Sequence, residues 1–101
     1  MASPTPRPVA RALTSVGGHL RGWRRLHGLT LEVVAERAGV STSTLRRIEA
    51  GDGASLEHVL RVARALGVMD SWVAAVDPLA SDVGRMRAEE LLDAPRARRR
   101  R

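Results

Sequence analysis

Thr42, Ser43, Thr44, Arg46 and Arg47 crowd into six consecutive positions, and the apolar residues beside them, Leu45 and Ile48, sit three apart. On a helix, Leu45 and Ile48 turn inward and the other five turn outward. Short hydroxyls donate and accept hydrogen bonds, and a guanidinium fork matches both phosphate oxygens and the edge of guanine. A helix entering a groove about 12 Å wide must present short polar or long cationic side chains on its first turns and an apolar back to its scaffold. Residues 41–50 meet both demands. The chemistry expected of them is hydrogen bonding to the bases and phosphates of double-stranded DNA, with no bond made or broken.

Other chemistries lack their residues. The chain has no cysteine, hence no disulfide and no thiolate metal site. His19, His27 and His58 have no ligand-like spacing, and Glu89–Glu90 reads as a solvated helix face. No nucleophile–base pair, phosphate loop or metal set is present, so no enzyme activity, catalytic residue, metal or cofactor is expected. No apolar run approaches the ~18 residues of a membrane span, and no signal-peptide pattern opens the chain. The expected location is the cytoplasm.

The charge pattern agrees with a polyanion partner. All 17 basic residues are Arg, and the formal net charge is +6 over 101 residues. Residues 1–51 hold eight Arg and three acids, residues 52–95 four Arg and eight acids, and residues 96–101 five Arg and no acid. A basic front half and an acidic middle suit a binding face and a back face.

The positioning elements follow from periodicity and punctuation, and the length argues for one domain. Pro4, Pro6 and Pro8 predict a flexible arm over 1–12, whose Arg7 and Arg11 are within reach of DNA. Leu13, Val16, Leu20, Trp23 and His27 form a helical stripe, with Thr14 or Ser15 as its cap, weakened by Gly17 and Gly18 and ended by Gly28. Thr30 caps a second helix over 31–38, with Val34, Ala35 and Ala38 on one face. Gly39 and Val40 make a tight turn, Ser41 caps a third helix and Gly51 closes it. Ser55 caps a fourth, whose stripe is Leu56, Val59, Leu60, Ala63 and Leu66. Asp70 caps a short fifth with Trp72, Val73 and Val76, stopped by Pro78. Ser81 or Asp82 caps a helix reaching residue 92, and a mobile basic tail follows. Trp23 and Trp72 are expected in the core.

Five short helices, with a glycine turn between the second and third, resemble the Cro/phage-repressor-like, or XRE-type, helix-turn-helix regulators over residues 13–77. The likeness is carried by LRGWRRLHGLTLEVVAERAGVSTSTLRRIEAG, residues 20–51, and SLEHVLRVARALGV, residues 55–68. The resemblance implies an all-α, compact five-helix domain over 13–77, between the arm and a C-terminal extension over 78–101. It implies DNA contacts from Thr30, Ser41, Thr42, Ser43, Thr44, Arg46 and Arg47. Thr42, Ser43 and Arg46 match base-reading positions, Thr44 and Arg47 match base or phosphate contacts, and Thr30 matches a phosphate contact. It also implies a structural ion pair between Arg24 and Glu49. One departure is Leu31, where many members carry a Gln that bonds a phosphate and braces the recognition helix.

A shorter stretch, Asp77-Pro78-Leu79 with residues 81–89, resembles the tail of HipB-type antitoxin-related regulators, which implies autoregulation of an operon and a HipA-type kinase toxin as partner. Two readings stand. The first is a dimeric repressor that reads a palindrome with half-sites one helical turn, about 34 Å, apart and dimerises through residues 69–92. The second is an antitoxin or adaptor whose main partner is a protein.

Overall fold

Pro8 opens the first helix rather than barring it. In the computed structural model, which describes residues 3–93, α1 spans Arg7–Leu26 with Pro6 as its N-cap and Pro8 in its first turn. This corrects the arm expected over 1–12 at residues 7–12, which are helical. A proline in the first turn gives up only an N–H that has no helical acceptor there, and its φ suits a helix. Thr14 and Ser15 are therefore interior residues, and Thr14 donates its hydroxyl to the Ala10 carbonyl at 3.2 Å.

The remaining elements are α2 (Leu31–Ala38), α3 (Thr42–Ala50), α4 (Leu56–Ala65), α5 (Met69–Ala75), a 3-10 turn (Pro78–Ala80) and α6 (Asp82–Asp93). All regular structure among the described residues is helical. The chain divides into two units, with the boundary after Met69. All of the fifth helix but its first residue falls in the second unit. The helix foreseen in the extension is α6, and the basic tail expected after it lies outside the described residues.

In the first unit, Leu20, Val34, Leu45 and Val62 are the largest fully buried side chains, joined by Ala35, Ala38, Ile48, Ala63 and Leu66. One core thus draws on α1, α2, α3 and α4. Two expectations fail here. Leu56 is 70% exposed, whereas Val62, outside the expected stripe, is fully buried; the buried face of α4 is turned toward Val62, Ala63 and Leu66. Trp23 is 43% exposed, and its indole stacks on His27 with ring centroids 5.8 Å apart. The His27 Nε2 in turn lies 3.2 Å from the Leu66 carbonyl, which ties the end of α1 to the end of α4.

Gly17 explains the contact between α1 and α3. It is buried, and a methyl in its place would overlap the Ile48 carbonyl oxygen and stand 2.7 Å from that of Glu49. Only glycine lets α1 cross the end of α3 this closely.

In the second unit, Asp77 caps the 3-10 turn by accepting from the Leu79 N–H at 2.9 Å, and Ser81 caps α6 by accepting from the Gly84 N–H at 2.9 Å. Met69 opens α5, so Asp70 lies in its first turn rather than at the cap. Neither α5 nor α6 has a buried residue, and Trp72, expected in the core, is half-buried. Val73, Val76, Leu79, Val83, Met86, Leu91 and Leu92 are all exposed.

Candidate nucleic-acid interface

The turn between α2 and α3 is fixed by backbone geometry. Gly39 takes the left-handed conformation with φ 71° and ends α2, and the Val40 N–H returns to the Ala35 carbonyl at 3.0 Å. Satisfying the last carbonyls of α2 this way lets the chain reverse in three residues. Ser41 then starts α3. Its Oγ accepts from the Thr44 N–H at 3.0 Å and donates to Thr44 Oγ1 at 2.9 Å. The hydroxyls of Ser41 and Thr44 are thus partly engaged in holding the helix start.

Leu45 and Ile48 press α3 onto the core, at 0% and 4% exposure. The opposite surface carries Ser43, Arg46 and Arg47, all exposed, with Thr42 and Thr44 half-buried at its edge. At the head of α2, the Thr30 Oγ1 accepts from the Val33 N–H at 3.2 Å. The N–H groups of Leu31 and Glu32 are first-turn donors, which a helix leaves without internal acceptors and which favour an anion.

Arg24 and Glu49 join α1 to α3. Arg24 Nε donates to Glu49 Oε2 at 2.7 Å and Nη2 to Oε1 at 3.0 Å, while Nη1 reaches the Leu29 carbonyl at 3.2 Å. The two side chains are 14% and 9% exposed. The hydrogen bonds that Arg24 donates to Glu49 raise the Arg24 pKa above the ordinary arginine value; desolvation opposes that rise, and the charges of Glu49 and Glu32 add to it. The pair also neutralises a carboxylate on the helix that carries the polar face.

Leu31 is half-buried and lines a cleft of about 280 Å³ with Arg21, Arg24, Arg46, Glu49 and Ala50. Arg46 lies 4.0 Å from Glu32, and both side chains are well exposed. Such a pair contributes about 0–1 kcal/mol and leaves Arg46 free to rearrange.

The helix-turn-helix family model matches residues 20–72, just over half of the chain. The chain belongs to the Cro/repressor-like, XRE-type helix-turn-helix family. The match runs from the last turns of α1 into α5 and includes the whole α2–turn–α3 unit. No curated protein and no solved structure matches the chain. Membership makes this helix-turn-helix protein a DNA-binding transcriptional regulator in the general sense. No helix among the described residues is long and apolar enough to cross a membrane.

The structure brings Thr42, Ser43, Thr44, Arg46 and Arg47 onto one helix, with Ser41 at its cap and Thr30 at the head of α2. Arg21 on α1, which the sequence analysis does not single out, lines the same cleft as Arg46. The available signal was its spacing, three residues before Arg24 and hence on the same side of the helix.

Proposed function

We propose that this protein is a homodimeric repressor that reads a palindromic operator through α3. The observation that carries the reading is the division of that helix, with Leu45 and Ile48 buried and Ser43, Arg46 and Arg47 exposed. Ser43, Thr42 and Arg46 take the base edges. Arg47 and Thr44 contact bases or phosphates at the margin, and Thr30 with the first N–H groups of α2 takes a phosphate. Ser41 contributes through its cap, which sets the direction of α3. The site of action is the cytoplasm, and the mechanism is occlusion of promoter DNA.

A single domain of this size presents too little surface for tight specific binding, so two copies on two half-sites are expected. The exposed apolar side chains of residues 70–93 supply a surface for that pairing.

The same surface favours a second reading, an antitoxin or adaptor in which a protein partner such as a kinase toxin covers it. Deleting residues 79–101 separates the two. A repressor that dimerises through this segment loses dimerisation and operator affinity together, whereas a partner-bound adaptor keeps duplex binding and loses the partner. The primary test is selection of duplexes from a random pool by the full chain. A palindromic consensus is expected, and no enrichment over input would defeat the proposal.

A further inference from the structure

The cleft between α1, α2 and α3 carries two exposed guanidiniums that no buried ion pair engages, those of Arg21 and Arg46. Of its three guanidiniums, that of Arg24 is taken by both Glu49 oxygens and the Leu29 carbonyl. The charges of Arg24 and Glu49 cancel within the wall. Arg21 is exposed and forms no ion pair among the described residues. Arg46 keeps only the loose, solvent-exposed approach to Glu32 at 4.0 Å. Leu31 and Ala50 complete the lining and offer no side-chain hydrogen bond. The lining carries three guanidiniums against one carboxylate, so the occupant it suits is an anion.

Arg46 borders this cleft and also belongs to the exposed face of α3. Whatever fills the cleft lies directly beside whatever α3 reads. The geometry points to a phosphodiester of the bound duplex seated here, held by Arg21 on α1 beside the base-reading Arg46 of α3. This assignment rests on the reading of α3 as the DNA-contacting helix. It gives Arg21 a positioning role: a phosphate contact fixes how α3 sits in the groove and carries no sequence information. It also answers the anchoring question raised by Leu31, since the cations stand around that side chain rather than at it.

Arg21→Ala and Arg21→Lys, made in the full chain, test the inference against two probes, a selected high-affinity duplex and a random-sequence duplex, across a range of salt. Arg21→Ala removes one phosphate contact from each subunit of the dimer, so it should weaken both complexes about 25–100-fold near 0.1 M salt and make the slope of log K against log salt shallower by about 1.8. Base preference should be unchanged, and Arg21→Lys should retain the wild-type slope. Arg21 is exposed on a helix, so the melting temperature of both variants should stay at the wild-type value. Wild-type affinity and slope in Arg21→Ala would overturn the phosphate site while leaving the DNA reading intact. Loss confined to the selected duplex would assign Arg21 to base reading and overturn it as well. Failure of the wild-type protein to bind either duplex would overturn both this inference and the reading beneath it.

Discussion

Glu49 places a carboxylate on the helix that must approach a polyanion, and Arg24 neutralises it through two hydrogen bonds of 2.7 and 3.0 Å. Removing the cation alone leaves a mostly buried, unpaired charge. Arg24→Ala should therefore destabilise the protein by about 3 kcal/mol in denaturant unfolding, because breaking one side of a buried pair strands the other. Glu49→Gln keeps the shape and a hydrogen-bond acceptor, so its loss should be smaller. The pH dependence follows from the direction of the Arg24 shift. Its folded pKa is raised, so its stabilisation is complete below the ordinary arginine pKa and is lost only as pH rises through the higher folded value. Unfolding free energies measured between neutral pH and mild alkali should carry this arginine's full stabilisation and show no pH dependence from it.

At the scale of elements, the crossing of α1 over α3 makes two adjacent glycines behave oppositely. Gly17→Ala forces a methyl onto the Ile48 and Glu49 carbonyls, whereas a methyl at Gly18 meets nothing within 4 Å. Overpacking should lower the stability of Gly17→Ala by about 1–3 kcal/mol. Gly18→Ala should raise it by about 0.5–1 kcal/mol, through reduced backbone entropy in the unfolded chain. Thermal melting of the two variants checks both signs. The pair also shows what was legible in the sequence. Helix propensity counts both glycines as weaknesses, because it sees only the helix that contains them. The contact that needs Gly17 comes from residues more than thirty positions later. The α2–turn–α3 unit was legible because its signals are local: a cap at Thr30, a left-handed glycine at 39, a cap at Ser41 and an apolar pair at 45 and 48. The buried face of α4 was misread at one edge, with Leu56 for Val62, because the packing of α2 and α3 decides which flank is covered. Trp23 was misread for a related reason. Its spacing continues the stripe of Leu20, yet the indole rests at the edge of the core on His27. The start of α1 was hidden by prolines, which forbid a helix interior but not its first turn.

At the scale of the whole molecule, the basic half of the sequence lies in the first unit and most of the exposed large apolar side chains lie in the second. The basic half of the sequence contains α3, and the exposed valines and leucines of residues 70–93 carry the surface proposed for pairing. Duplex affinity should fall steeply with salt, with a slope of about 0.9 per phosphate neutralised. Sedimentation of the full chain should show a concentration-dependent dimer, and the chain lacking residues 79–101 should sediment as a monomer. The central claim, that the exposed face of α3 reads sequence, is tested most directly by selecting duplexes from a random pool with the wild-type protein and with the double variant Ser43→Ala, Arg46→Ala. The account predicts a palindromic consensus for the wild type. In the variant it predicts relaxed preference at matching positions of each half-site, with about 1–3 kcal/mol of discrimination lost per base contact. The same consensus and the same affinity from both proteins would contradict it.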